Sequence, residues 1–372
     1  MKAMRWMKQM KTAAAVVVAV MVVGSGGAAA PEKPPVVPVV TVQNPSNVGR
    51  PPGPITFGMV FARGDMPTGV AVEGLPVQVE VKRRWPDGSL KHAIITVALP
   101  ELVAKESRKL VFKPAEMPKE ATVAGKSDPA ALKNLPDVVV KFAIHNGPEE
   151  SASLVKTIAE GKPLRTWLSG EQALEFHYRA APVDKDGNAD PDLEVRFYVR
   201  YYPTAKTALV ECVGENCHWA SPGNIPYDVS ILVDGKEVYA KKEAGRWEGA
   251  VADKAYIGHA YGARWVKRFW TGRRLDDLHV RYDLDYWNRT GLLPRYDPDL
   301  KVPEGVLADM EKRWGGARED ILQNGFILPA FGTTGGREDI GPLPAWTARY
   351  LVSQDPRALR VTLGNGDQSG SC

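Results

Sequence analysis

Cysteine is scarce in this chain of 372 residues: only Cys212, Cys217 and Cys372 occur, too few for a disulfide framework to replace a hydrophobic core. Cys212 and Cys217 pair only if residues 213–216 turn back as a hairpin. On one continuous strand, residues five apart point to opposite faces, and that unpaired reading is preferred. Histidine is equally thin, with six residues and no metal-ligand spacing, so no metal or other cofactor is called for. No G-x-S-x-G elbow, Walker loop or H-E-x-x-H motif appears. No apolar run reaches the roughly 20 residues of a membrane-spanning helix. There is little excess of either charge: 48 Lys and Arg stand against 44 Asp and Glu.

Residues 1–30 read as a secretory signal peptide. Lys2, Arg5, Lys8 and Lys11 precede an Ala/Val/Met run without any acidic residue, and small residues from Gly24 to Ala30 follow. Pro31 obstructs cleavage directly behind Ala30, so Ala28 or Ala29 is the expected last residue of the leader. These four cations account for the whole net charge of +4, so the pI near 8.8 is a property of the leader. A neutral remainder with interspersed charges has no electrostatic footprint for nucleic acid. The expected place of work is the periplasm or the medium, with no membrane contact once the leader is removed.

Residues 31–50, rich in Pro and Val, read as an extended linker or first strand. Short alternating runs follow, among them Val77–Lys82, His92–Val97, Arg108–Phe112, Leu193–Arg200 and Tyr227–Val233, broken by Gly, Pro and Asp. Such spacing predicts a mainly β protein of barrel or sandwich type, with a first β domain at 51–118 and a second β-rich region at 119–290. Asp234-Gly235 marks a hairpin turn. Helical spacing begins late. Ser151 to Ala159 is an isolated early candidate, and Glu304–Trp314, Pro344–Ser353 and Arg357–Leu363 give residues 291–372 a helical character. The last segments read as the opening of an all-α domain, truncated at residue 372.

Several stretches could carry chemistry. Asp184 to Asp190 alternates oxygen ligands like the start of a calcium loop. The pattern fails at its sixth position, Ala189, and its twelfth, Val195, so a polar hairpin loop is the better reading. Trp85 to His92 reads as a structural turn, with Lys91 and His92 on opposite faces of a strand. His259 to Trp270 is the densest aromatic and basic stretch. As a strand it places Trp265, Lys267 and Phe269 on one face and Arg264, Val266, Arg268 and Trp270 on the other. Rings that stack on sugars beside cations that bind carboxylates suit an acidic polysaccharide; an ordinary packed strand is the alternative. Gly335 to Pro344 places Arg337, Glu338 and Asp339 on a Gly/Pro-rich loop that could approach a ligand or simply be fixed by an Arg–Asp pair.

Ile55-Thr-Phe-Gly58, Phe61-Ala-Arg-Gly64 and Trp85-Pro-Asp-Gly-Ser89 resemble the N-terminal RIFT-type β-barrel of the exo-rhamnogalacturonan lyase (PcRGLX/YetA-like) family. The helical onset after Gly341 is similar to the start of that family's (α/α) toroid. This resemblance implies a lyase acting by β-elimination on a uronic-acid-containing glycan, with no cofactor and with much of the catalytic domain missing. Within it Arg337 or Arg264 would neutralise the carboxylate, and Lys267 or His259 would act as base. Asp339 completes the candidate catalytic set, with Arg264, Trp265, Phe269 and Trp270 binding substrate. The competing readings are a non-catalytic carbohydrate-binding β-sandwich, a cell-surface structural protein, or a hydrolase with paired carboxylates.

Overall fold

A computed structural model describes residues 37–116, 129–216, 227–244, 263–297, 299–323, 325–327 and 337–368. His259, Cys217 and Cys372 lie outside them, as does the start of the Gly335–Pro344 loop. Residues from Val37 onward form one compact unit, mainly β.

The first strands are β1 (Val39–Gln43), β2 (Gly53–Val60), β3 (Gly69–Val72), β4 (Val77–Arg84), β5 (Leu90–Leu99) and β6 (Ser107–Ala115). They divide between two antiparallel sheets, β1-β6-β3 and β2-β5-β4. Alternation sets which side chains meet between the sheets. Phe57 and Phe61 of the second sheet and its exit cross edge-on to Phe112 of the first, with centroids 6.4 and 6.0 Å apart. Both sheets remain open, and no closed barrel forms among the described residues. The four-residue β3 pairs with β6, while β4 pairs with β5. The chain thus changes sheet between β3 and β4, and the RIFT-type barrel expected from the sequence is replaced by a two-sheet arrangement. At the β4–β5 turn Gly88 has φ +86°, and the Asp87 carboxylate accepts from the Ser89 N–H and hydroxyl. Trp85–His92 is therefore a structural turn.

The second region begins with β7 (Val138–Ile144), β8 (Glu149–Ser153), α1 (Leu154–Glu160), β9 (Arg165–Ser169) and β10 (Leu174–Ala180). It continues through β11 (Glu194–Tyr202), β12 (Thr207–Asn216), β13 (Tyr227–Val233), β14 (Lys236–Ala244) and β15 (Ala263–Trp270). A five-stranded sheet, β15-β12-β11-β10-β9, faces a four-stranded one, β14-β13-β7-β8. Between them lies a core that includes Phe142, Phe176, Phe197, Val210, Cys212, Ile231 and Trp265. Cys212 is a free thiol there, and burial pushes its pKa up. Asp234 and Gly235, both at positive φ, turn β13 into β14.

The chain then returns. β16 (His279–Tyr282) pairs antiparallel with β1, completing the sheet order β16-β1-β6-β3. The Pro/Val-rich stretch therefore contributes an interior strand, and the first sheet draws on two distant parts of the sequence. α2 (Leu284–Thr290) follows, capped by the Asp283 carboxylate. α3 (Glu304–Trp314), α4 (Ala345–Ser353) and α5 (Pro356–Gln368) share a small core around Met310, Trp314, Trp346 and Val361. They pack as a cap beside β15; Arg268 reaches Asp367 of α5.

Candidate functional site

β15 pairs with β12 along its whole length, so it carries both faces the sequence assigned to it. The first face turns inward. Trp265 is 1% exposed, donates its indole N–H to the Tyr227 hydroxyl at 3.0 Å, and lies against Gly214. Phe269 is half-buried against the same core. Lys267 sits 3.3 Å from the Asp320 carboxylate and 4.4 Å from the Tyr239 ring centre. Asp320 also accepts from Tyr239 and Lys241. Burial acts to raise its pKa, but the Tyr239 hydroxyl, the Ile321 N–H and Lys241 together hold it down to about 2. Lys267 is thus one of several partners gathered around a firmly ionised carboxylate.

The opposite face is only partly covered: Val266 is buried, whereas Arg268 is exposed. Trp270 stacks on Tyr202 at 6.1 Å and packs beside Leu168 and Leu275. Arg268 bonds Glu211 and Asp367, and Arg264 stands in register with Glu215. A cavity of about 220 Å³, open to solvent, is lined by Trp265, Val266 and Arg268 of β15 together with Asp320, Arg360 and Asp367. Arg337 and Asp339 bond each other through two contacts of 3.0 and 2.7 Å, their side chains 5% and 9% exposed. Glu338 between them pairs with Arg349. That loop is fixed by its own charges. Trp265 is therefore corrected to a core residue, and Arg337–Asp339 to a buried pair; Trp265 and Arg268 border one cavity, and Arg337 and Asp339 are not in its lining.

The Asp184 loop is likewise self-contained. Its carboxylate accepts from the Asp186 and Asn188 N–H groups and the Asn188 amide. No group of three or more His, Cys, Asp or Glu among the described residues is arranged to hold a metal ion.

Ionisable and aromatic side chains gather elsewhere, where β4 meets the outer face of β9, β10 and β11. Pairing across β10 and β11 sets Glu175 opposite Arg200 and His177 opposite Tyr198. His177 lies 4.3 Å from Tyr198 and stacks on Trp167 at 6.1 Å. Its Nε2 is 3.1 Å from Glu175, whose other oxygen accepts from Arg200 at 2.5 Å. Two cations lie over the Trp167 ring: Lys82 at 3.8 Å and the exposed Arg165 at 4.3 Å. Lys82 also donates to the Trp167 carbonyl and lies 3.8 Å from Glu80. Burial lowers the Lys82 pKa against the attraction of Glu80 and Glu175. Burial also raises that of Glu80, against Lys82 and the Ser169 backbone. Burial thus shifts both groups in the direction of their neutral forms. His92 is lowered as well, by burial and then by Lys82.

None of these residues was in the candidate set from sequence. Their signal was present as charge at every second position: Glu80-x-Lys82, Arg165-x-Trp167, Glu175-x-His177 and Arg196-x-Tyr198-x-Arg200. A strand with that pattern has one face unsuited to an apolar core.

No protein-family model matches this chain, nor does any curated protein. Solved structures give a distant likeness. An alpha-mannosidase from Enterococcus faecalis V583 aligns over 68% of this chain and 45% of its own length, at 6% identity and a TM-score of 0.31. A glycosyl hydrolase family 38 protein from Enterococcus faecalis aligns over 71% and 48%, at 7% identity and a TM-score of 0.33. The chain spans less than half of either, and similarity this low carries no argument about activity.

Proposed function

We propose that this is an exported protein that acts on a uronic-acid-containing polysaccharide, with β-elimination as its chemistry. The observation that supports the reading is the cluster of Lys82, Glu80, Arg165, Trp167 and His177 at the meeting of β4 with β9 and β10. Arg165, exposed and held over an indole, meets the uronate carboxylate and neutralises it, which makes the C5 proton acidic. Lys82, once deprotonated, removes that proton. The C5–H electrons form the C4–C5 double bond, the C4–O bond breaks, and Glu80, in its acid form, gives its proton to the leaving oxygen. The His177 and Tyr198 rings supply an apolar edge for the sugar. These roles replace those first considered for Lys267, Arg337 and Asp339, whose charges are held by neighbouring side chains. The likeness of the 55–89 segment to exo-rhamnogalacturonan lyases supports the same substrate class.

Incubation with uronic-acid polysaccharides, followed by the ultraviolet absorbance of unsaturated products, tests the chemistry. Lys82→Met should lower kcat by about 10²-fold or more with KM little changed. An equal turnover in wild type and variant removes Lys82 from the reaction. A second reading, a non-catalytic glycan-binding sandwich, is favoured by the hydrogen bond from Lys82 to the Trp167 carbonyl. Binding without unsaturated product selects it. Export predicts that the protein recovered from a secreting host begins after Ala28 or Ala29, as read by intact mass.

A further inference from the structure

The outer face of the first sheet carries a second cationic groove, and none of the residues discussed so far for binding or chemistry belongs to it. It is floored by Val39, Thr41 and Gln43 of β1 and flanked by Ser107 and Lys109 of β6 and Arg281 of β16, enclosing about 430 Å³. Register places it in one row: Thr41 is paired with Lys109 on one side and with Arg281 on the other. Two cations therefore stand across one hydroxyl, roughly 10 Å apart at Cα over two interstrand spacings. Gln43 and Ser107 form the adjacent row.

Both cations are exposed, and neither has an ion-pair partner among the described residues. This differs from the sheet face around β11, where Arg196 contacts Glu194 and Glu215, and Arg200 contacts Glu175. One acid, Asp283, lines the groove; its Oδ1 accepts from the Tyr286 N–H at 2.8 Å as the cap of α2. A floor with hydroxyl and amide donors between two unpaired cations, which outnumber the one lining acid, fits an elongated ligand that carries negative charge and hydroxyl groups together.

We propose that this groove is a separate holding site for a uronate-bearing oligosaccharide, with Lys109 and Arg281 each taking a carboxylate and Thr41, Gln43 and Ser107 bonding the hydroxyls between. The choice of ligand rests on the polysaccharide reading above; the groove itself does not. Lying on a different sheet from the Lys82 cluster, it holds a length of chain while another length reacts, so the two sites act through local concentration.

Calorimetric titration of the full secreted chain with trigalacturonic acid separates the two ideas. Two binding events are expected, both weakened by salt. Lys109→Gln with Arg281→Gln should weaken one of them by about tenfold or more, the size of a lost charge-assisted contact, while Arg165→Gln weakens the other. Both variants replace exposed side chains, and unchanged melting curves confirm the fold. If the double variant titrates like wild type, the groove proposal fails and the Lys82-centred reading stands. If only the double variant loses binding and Arg165→Gln does not, the groove stands and the first site fails. If wild type takes up no trigalacturonic acid, both fall. Equal uptake of the carboxyl-reduced trisaccharide also overturns the groove proposal, because it removes the need for the two cations.

Discussion

Trp265 shows what a side chain's type leaves open. Alternation correctly grouped it with Lys267 and Phe269, but grouping does not say which face is wet. That is decided by β13 and β14, which come from elsewhere in the chain and lie against it. The Tyr227 hydroxyl then satisfies the indole N–H that burial would otherwise strand. Trp265→Ala should cost about 3–5 kcal/mol in a urea titration, the usual range for emptying a buried aromatic site. Glu150 on β8 makes a second point at this scale. It is 6% exposed, one of its oxygens has no partner, and burial followed by the charge of Asp190 and Asp184 raises its pKa to about 7. Its ordinary value is 4.5. Between those values the folded chain holds a proton that the unfolded chain has released. This contribution to stability is full below the lower value and is lost as the pH rises through the upper one. Urea midpoints compared at pH 5 and pH 8 should therefore fall for wild type, and fall less for Glu150→Gln.

Elements were more legible than their side chains. Helical spacing placed α3 at its observed bounds, and the apolar positions Leu307, Met310 and Trp314 are the ones it buries. The Asp234-Gly235 turn was readable because positive φ at Gly has few other causes. α5 was underestimated because it runs through Gly364 and Gly366, which by propensity should end a helix. Packing explains one of them. A Cβ on Gly364 would lie 2.2 Å from the Trp314 ring, and Trp314 is 1% exposed with no room to retreat. The absence of a side chain is what lets α3 and α5 approach. Gly364→Ala, although favourable for an isolated helix, should lower stability by about 1–3 kcal/mol through overpacking, seen as a reduced Tm. A Tm at or above that of wild type would mean the helices can move apart freely. β1 was the opposite case. Its Pro/Val composition suits a linker as well as a strand, and only its pairing with β6 and β16 distinguishes them.

At the scale of the molecule, the sequence pattern suggests a first β domain at 51–118 and a second β-rich region at 119–290, and residues from Val37 onward cluster as one compact unit. Local pattern cannot show that β1 will be joined by a strand lying far along the chain. Two further links tie the regions. Gln78 of β4 accepts from the Gln172 and Ala173 N–H groups and donates to the Ala173 carbonyl at 2.8 Å. The Tyr202 hydroxyl donates to Thr56 at 3.1 Å. A fragment comprising residues 37–118 lacks β16, the Tyr282 hydroxyl that donates to the Gly58 carbonyl, and the Tyr286 hydroxyl that receives the Ala62 N–H. Circular dichroism should show it without a cooperative melt, and a sharp melt would establish it as an independent domain. The return of β16 to β1 also has a temporal meaning. During synthesis the earliest strand waits for a partner that emerges only near residue 282, so its sheet stays unfinished while most of the polypeptide is made. Closure over so long a loop is slow, so although β6 can join β1 early, the opposite edge of β1 is filled only after most of the β framework has been made.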